Sequence, residues 1–212
     1  MGMPFRRWGV VLFIPALLHA GDVKPFDLPA PQTEGGKPLM QAIRERKSSR
    51  AFSPAALPSQ VLSNLLWAAF GVNRPDGHRT APSAMNRQSI EVYVATQGGL
   101  YRYEAGPHRL QGILPEDVRA ATGTQDFVRG AAVNLVYVAD YARMGNSSAE
   151  DKLLYSGVEA GGIAQNVYLY CASEGLATVV RASVDRAALA KVMGLRPEQH
   201  IVLAQSVGYP PK

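Results

Sequence analysis

Cysteine is nearly absent from this sequence, since Cys171 is the only one among 212 residues. A single chain therefore has no internal disulfide, although an oxidising compartment would tolerate one. Cys171 lies within an apolar stretch, and no His or Asn stands at a spacing that would activate its thiol. Because burial raises the pKa of a thiol, we interpret Cys171 as a small buried hydrophobic residue, with a nucleophile as the less favoured alternative.

Histidine and excess charge are also scarce. The four histidines have no metal-ligand spacing, so no metal site is predicted; they are His19, His78, His108 and His200. The net charge is +5, and removal of a leader containing Arg6 and Arg7 leaves 20 basic against 17 acidic residues, or +3. This charge is too mild and too dispersed to predict nucleic-acid binding.

The length suits one domain with a real core, or one subunit that completes its core by dimerising.

The sequence has no apolar run long enough to cross a bilayer. The run Trp8–Leu18 has eleven residues, whereas a spanning helix needs about 20. It follows Arg6 and Arg7 and precedes a Leu-His-Ala segment, which is the layout of a secretory signal peptide. We therefore predict a signal peptide at residues 1–20, a periplasmic or secreted mature chain, and no stable membrane span after cleavage. An uncleaved anchor is the alternative.

The remaining chain divides into an arm and a domain. Residues 21–37 contain several prolines and the pair Gly35-Gly36, which predicts an extended arm without regular structure. Residues 38–212 mix helical and strand patterns without strict alternation, and the first predicted strands form an antiparallel meander. The class is therefore α+β, with a central, mostly antiparallel sheet covered by helices. The predicted helices cover 38–46, 58–70 and 185–193, the predicted strands cover 90–95, 132–139 and 200–207, and 177–183 is predicted as irregular extended chain.

The chain is organised around an apolar stretch from Tyr155 to Leu176, where small and apolar residues recur at spacings of three and four. This pattern predicts a long helix in the core, at 153–173, covered on nearly every side. Gly161 and Gly162 each cost about 1 kcal/mol relative to Ala in a helix, so another backbone or a flat ligand is expected to approach there. A core helix without a ligand is the alternative.

A basic and hydroxyl cluster follows the first predicted helix. Arg46 and Arg50 offer forked donors, Lys47 a point charge and Ser48 a short donor, a combination that suits a phosphate. A solvated helix end, where cations complement the dipole, is the alternative.

A second polar segment, residues 82–88, ends a long loop and leads directly into a strand. Its carboxamide Asn86 both donates and accepts, which matches the mixed edge of a heterocycle.

Four separated segments together resemble the nitroreductase-like FMN flavoprotein family, and within it the dehydrogenase-type branch whose better-known members oxidise azoline rings in modified peptides. The resemblance covers residues 38–212 and depends on the order and spacing of the segments. The segments are RKSSR at 46–50, PSAMNRQ at 82–88, GGIAQNVYLYCASEGL at 161–176 and VGYP at 207–210.

The resemblance implies a role for each matching residue. Arg46, Ser48 and Arg50, with Lys47, would hold the phosphate and ribityl chain of FMN, and Lys212 stands where a late basic residue often reaches the phosphate. Asn86, helped by Ser83 and Gln88, would meet the pyrimidine edge of the flavin, and the backbone of Ala182 and Ser183 would lie beside flavin N5. Glu159 is the candidate for a polar residue that faces the flavin. The chain departs from the family pattern at Lys47, Met85 and Val180-Arg181, which puts the substrate pocket and the N5 contact in question.

The resemblance implies an FMN oxidoreductase, and the predicted signal peptide adds that it is exported. It would act as a homodimer with two flavins at the subunit interface and transfer hydride or electrons through N5 to or from a small molecule or peptide. The alternative is a non-catalytic flavin-binding or interaction protein that keeps the scaffold, which export away from NAD(P)H favours. A periplasmic solute-binding protein would need a second lobe that this length does not provide.

The export route gives a first testable prediction. Arg6→Lys with Arg7→Lys keeps the positive charge that an unfolded-export signal needs and removes the twin-arginine pair. We expect undiminished delivery of the double variant to the periplasm, measured by cell fractionation, because an ordinary signal peptide is the favoured interpretation. Loss of delivery would instead indicate the folded, twin-arginine route, in which flavin is carried from the cytoplasm.

Overall fold

The computed structural model describes residues 23–212. The predicted signal peptide at 1–20 and the first two residues of the predicted arm lie outside the described residues. Within the described range, none of the helices combines the length and the apolar character that crossing a membrane requires.

A single seven-stranded sheet forms the centre of the fold. Its strands are β1 (Phe26–Asp27), β2 (Ile90–Thr96), β3 (Gly99–Glu104), β4 (Arg109–Leu114), β5 (Val133–Asp140), β6 (Ala177–Arg181) and β7 (Gln199–Gly208). The strand order is β1-β4-β3-β2-β5-β7-β6, and every neighbouring pair is antiparallel. The predicted α+β class with an antiparallel sheet is confirmed.

Strand β5 is an interior strand of this sheet, fifth in the order, and is buried along its whole length. It pairs with β2 on one side and with β7 on the other, so both edges are hydrogen-bonded. A strand covered on both faces needs apolar residues at nearly every position, which explains the almost continuous apolar run of its sequence VNLVYVAD.

Four helices cover the sheet: α1 (Leu39–Glu45), α2 (Ser59–Phe70), α3 (Ala149–Glu174) and α4 (Arg186–Met193). Helix α3 begins four residues before the predicted boundary because the Ser148 side chain caps it, accepting a bond from the backbone N of Asp151. It ends where Gly175 takes a left-handed conformation with φ of 70°. Asp185 caps α4 in the same way as Ser148 caps α3.

The helices divide the core between the two faces of the sheet. On one face α2 and α3 pack against β2 and β5, with Leu65, Leu66, Val92, Ile163 and Val167 in contact across the layer. On the other face α4 covers the sheet through Leu189 and Met193. Cys171 belongs to the first core, as predicted, and burial raises the pKa of its thiol.

Two segments predicted as irregular form strands. Residues 177–181 are the regular strand β6, because their backbone pairs with β7 over five residues. In the predicted arm, Phe26 and Asp27 pair with the start of β4 and place a short strand at the sheet edge. Both pairings join segments far apart in sequence, which local patterns do not reveal.

The expectation that α3 is covered on nearly every side is wrong for the single chain. Its outer face, defined here as Leu153, Leu154, Val158 and Gly161, is open, with Leu154 57% and Val158 62% exposed. A Cβ atom added at Gly161 would meet nothing within 4 Å among the described residues. The close approach predicted at Gly161 is therefore not made within this chain, whereas Gly162 does face Pro82, at 3.6 Å.

Candidate functional site

The basic cluster 46–50 forms an extended segment between the end of α1 and the edge strand β6. The backbone N of Ser49 donates to Thr178 O at 2.9 Å, which attaches the segment to β6. Tyr168 of α3 lies beneath it: the Arg46 guanidinium stands 5.1 Å from the centre of the Tyr168 ring, and Ser48 Oγ is 2.7 Å from Tyr168 Oη. Tyr168 Oη also accepts from the backbone N of Val180 at 3.0 Å. One tyrosine therefore positions two of the predicted phosphate ligands.

The cations of this segment have no acidic partner. Across residues 23–212, no ion pair involves Arg46, Lys47 or Arg50. Lys47, however, lies with Ser49 on the wall of a separate cavity of about 440 Å³, which Arg46, Ser48 and Arg50 do not line. Because side chains alternate along an extended segment, Lys47 is separated from the other predicted phosphate ligands. Among the predicted phosphate ligands, Lys47 is therefore the residue whose role this geometry supports least.

The loop at 82–88 has an unusual backbone. Met85, Asn86 and Gln88 have φ values of 53°, 51° and 48°, although none of them is glycine. Such conformations cost about 1 to 3 kcal/mol each and persist only where the surroundings enforce them. They are found most often at functional sites, so the backbone supports the predicted importance of this loop.

Glu159 of α3 holds the loop in that conformation through hydrogen bonds. It is 3% exposed, and its Oε2 accepts from Ser83 Oγ at 3.0 Å and from Ser89 Oγ at 2.8 Å. Its Oε1 accepts from the backbone N of Ile90 at 3.2 Å. Ser83 Oγ in turn accepts from the backbone N of Gln88 at 2.8 Å. Glu159 therefore anchors the loop, and the catalytic role suggested for it stays a prediction.

Asn86 is the loop residue best placed to meet a ligand. The Gln88 amide is used inside the loop, since its Nε2 donates to Gly77 O and Asn86 Oδ1 and its Oε1 accepts from Arg79 Nε. Asn86 is exposed, and its amide nitrogen donates no hydrogen bond to residues in the range 23–212. Ser83 and Gln88 thus hold the loop together, and Asn86 offers the free donor.

The predicted N5 segment, Ala182 and Ser183, is exposed and directly follows β6. Ser183 O accepts from the backbone N of Thr124 at 3.1 Å. Lys212 is exposed at the end of the chain, just beyond a bond from Ser53 N to Tyr209 O of 2.8 Å.

Arg181 is a site-supporting residue whose role the sequence did not reveal. It precedes Ala182, is 6% exposed, and donates to Thr122 O, to Asn134 Oδ1 at 2.9 Å and to Ser206 Oγ at 3.2 Å. Burial lowers the pKa of its guanidinium to about 10. The sequence did offer a signal for this role, because an arginine ends the apolar strand ATVVR. A charge at such a position must find polar partners.

The structure does not bring all predicted site residues together in one chain. Glu159 and Tyr168 are nine residues apart on α3, which corresponds to about two and a half turns and roughly 13.5 Å of rise. They therefore face opposite flanks of the helix: Glu159 faces β2, and Tyr168 faces β6. We call the groups they support the β2 flank (Ser83, Asn86, Gln88) and the β6 flank (Arg46, Ser48, Arg50, Ala182, Ser183). The open outer face of α3 lies between the two flanks.

Comparison with known proteins identifies the family. Residues 43–209 match the Nitroreductase family. The chain belongs to the nitroreductase family. A nitroreductase-like protein of Methanocaldococcus jannaschii is 33% identical over 66% of this chain and 76% of its own length. A nitroreductase-like crystal structure from Ralstonia eutropha is 41% identical, covers 99% of this chain and 100% of its own, and superposes with a TM-score of 0.86.

More distant structures share the fold of this nitroreductase-family chain. A nitroreductase-like protein of Desulfovibrio desulfuricans in complex with FMN is 22% identical, with a TM-score of 0.60 over 84% of this chain and 89% of its own. The Escherichia coli microcin synthetase McbBCD, with a truncated peptide precursor bound, is 18% identical, with a TM-score of 0.69 over 97% and 85%. The predicted family is confirmed, whereas the peptide-oxidising branch stays a prediction.

Removal of the loop anchor should destabilise the protein. Glu159→Ala would leave the hydroxyls of Ser83 and Ser89 and the backbone N of Ile90 without their acceptor, and an unsatisfied buried donor costs about 1 to 3 kcal/mol. We expect the free energy of unfolding, measured by urea denaturation, to fall by at least that amount. Glu150→Ala, at an exposed position of the same helix, is the control. Equal stability of the two variants would show that Glu159 is not an anchor.

Proposed function

We propose that this nitroreductase-family chain is an FMN-dependent oxidoreductase that acts as a homodimer and transfers hydride or electrons through flavin N5. The observation that carries the proposal is the pair Arg46 and Arg50, two cations without a carboxylate partner among residues 23–212, presented beside the hydroxyl of Ser48. Such a set is built to receive an external anion.

The β6 flank fits the phosphate end of FMN. Arg46 is already oriented by its stacking on Tyr168, so less side-chain freedom is lost when it binds a phosphate oxygen. The hydroxyl of Ser48 contacts the Oη atom of the same Tyr168, so it lies beside the residue that orients Arg46. Arg50 is exposed and supplies a second guanidinium.

The β2 flank fits the other end of the cofactor. The pyrimidine edge of a flavin alternates donors and acceptors, and Asn86 has a free amide donor on a loop that Glu159 holds in place. By the family resemblance, the backbone of Ala182 and Ser183 would lie beside flavin N5, and the adjacent Arg181 holds that segment through its buried hydrogen bonds. When bound, FMN supplies the redox chemistry, and the protein supplies position and electrostatics.

A second copy of the chain would complete the site. The two flanks lie on opposite sides of α3, so one flavin needs the β6 flank of one chain and the β2 flank of another. The outer face of α3 is apolar and open, and α1 also exposes three apolar side chains, Leu39, Met40 and Ile43. An apolar surface of this kind is typical of a subunit interface.

The substrate is a small organic molecule or a peptide. The fold shared with the microcin synthetase, whose structure contains a peptide precursor, supports a peptide, although an identity of 18% carries only the fold. The FMN complex of the Desulfovibrio desulfuricans protein supports the cofactor. The signal-peptide pattern at residues 1–20 supports export, which we also propose.

The second candidate function is a non-catalytic flavin-binding protein on the same scaffold, which export away from NAD(P)H favours. The two are distinguished by reducing the bound flavin and adding an electron acceptor. A flavin that is bleached and then recoloured repeatedly supports the enzyme, whereas a flavin that does not respond supports the binding protein.

Removal of both guanidiniums should abolish FMN retention. Charge-assisted hydrogen bonds contribute about 1.5 to 3 kcal/mol each, so Arg46→Ala with Arg50→Ala should weaken FMN at least about a hundredfold. The measurement is flavin absorbance per chain after dialysis, with circular dichroism to confirm the fold. Arg44→Ala, an exposed position at the end of α1, is the matched control. Full FMN occupancy in the double variant would show that the phosphate assignment is wrong.

A further inference from the structure

Strands β2 and β3 separate from each other at one end. They pair from Thr96 and Gly99 as far as Tyr93 and Arg102, yet β2 begins three residues earlier and β3 continues to Glu104. Beyond that point β2 remains paired with β5 and β3 remains paired with β4, but β2 and β3 no longer pair with each other. The result is a cleft of about 490 Å³ between two strands of the sheet, which we call the sheet cleft.

The charges around the sheet cleft are unbalanced. Two glutamates line it, Glu91 and Glu104, against four arginines, which are Arg79, Arg102, Arg109 and Arg143. Three of the arginines contact these glutamates: Arg109 and Arg102 reach Glu104 at 2.7 and 3.2 Å, and Arg143 reaches Glu91 at 2.9 Å. An excess of two positive charges therefore faces the cleft.

Arg79 is the arginine without an acidic partner. Its Nε donates to Gln88 Oε1 at 2.9 Å, its Nη1 to Phe70 O at 3.4 Å, and its guanidinium lies 5.2 Å from the Phe70 ring centre. No ion pair of residues 23–212 includes it. Partial burial is the main cause that lowers the pKa of Arg79; the charge of Arg143 acts in the same direction, and Tyr103 and Glu159 oppose it. A half-buried cation beside another cation is stabilised by an anion that enters from solvent.

The sheet cleft has both polar and apolar walls. Pro107 is exposed, whereas Phe70, Val92 and the ring of Tyr103 are buried and offer a ligand little surface. Positive charge, more than apolar contact, is therefore what the cleft offers to a ligand.

We propose that the sheet cleft binds a small organic carboxylate, held by Arg79 and Arg102. This site is separate from the proposed flavin contacts, although it is close to them: Arg79 and Arg143 both donate to Gln88, a residue of the β2 flank. The proposal does not require that flavin binds.

The test uses 4-fluorobenzoate as the probe and ¹⁹F NMR titration of the full chain, with and without added FMN. 4-Fluorobenzamide, which keeps the shape and lacks the charge, is the control ligand. We expect saturable binding of the benzoate and at least about tenfold weaker binding of the benzamide. Arg79→Met and Arg102→Met should each weaken the benzoate by about tenfold or more, and Arg129→Met, at an exposed position outside the cleft, should not.

Arg102 decides between this cleft and the proposed flavin site, because its ion pairs are made to Glu91 and Glu104 and to none of the flavin-contacting residues. If Arg102→Met does not fold, Arg102→Gln replaces it, since glutamine keeps a hydrogen-bond donor and removes the charge. Benzoate binding that these variants leave unchanged, equal binding of benzamide, or no saturable binding would overturn the proposal. Each of these results can be obtained whether or not the chain retains FMN.

Discussion

Helix α3 buries Ile163, Ala164 and Val167 against the sheet, and this packing determines where the polar residues of the site can lie. With the inner face of the helix occupied by the core, its two flanks are directed toward β2 and toward β6. Glu159 on one flank and Tyr168 on the other each hold a segment that lacks a longer helix or strand. Loss of that core packing would remove one support from each segment.

Glu159 and Arg181 are buried charged residues whose hydrogen-bond partners are all uncharged. Glu159 has hydroxyl and backbone donors around its carboxylate, and Arg181 has hydroxyl, amide and carbonyl acceptors around its guanidinium. Neither forms an ion pair within residues 23–212. A buried charge adds little stability when its hydrogen bonds are made, but it is very costly when they are not. The main effect of these two residues is therefore to select the one conformation in which their hydrogen bonds are made.

Local patterns in the sequence predicted most of the elements. The meander follows from alternation and the buried strand β5 from its apolar run, while Asp185 and Gly175 are residue types that commonly cap helices. The strand character of 177–181 and of Phe26–Asp27 could not be predicted locally, because it depends on pairing with distant segments.

The candidate site was predictable only in part, and chiefly through the family resemblance. The roles of Arg46, Ser48 and Asn86 toward FMN came from the resemblance and stay predictions. The positive φ angles at Met85, Asn86 and Gln88 and the open outer face of α3 are consequences of tertiary packing. The anchoring role of Glu159 was missed because its partners, Ser83 and Ser89, are some 70 residues away in sequence.

The central claim is that one flavin needs the β6 flank of one chain and the β2 flank of another, and subunit complementation tests it most directly. Arg46→Ala with Arg50→Ala damages only the first flank, and Asn86→Ala with Gln88→Ala only the second. The two variants are co-expressed with different tags, and heterodimers are isolated by successive affinity steps. If the flanks combine across subunits, each heterodimer has one intact site and binds one FMN, although either variant alone binds none. A heterodimer without FMN would contradict the account, because it would place both flanks of each site in a single chain.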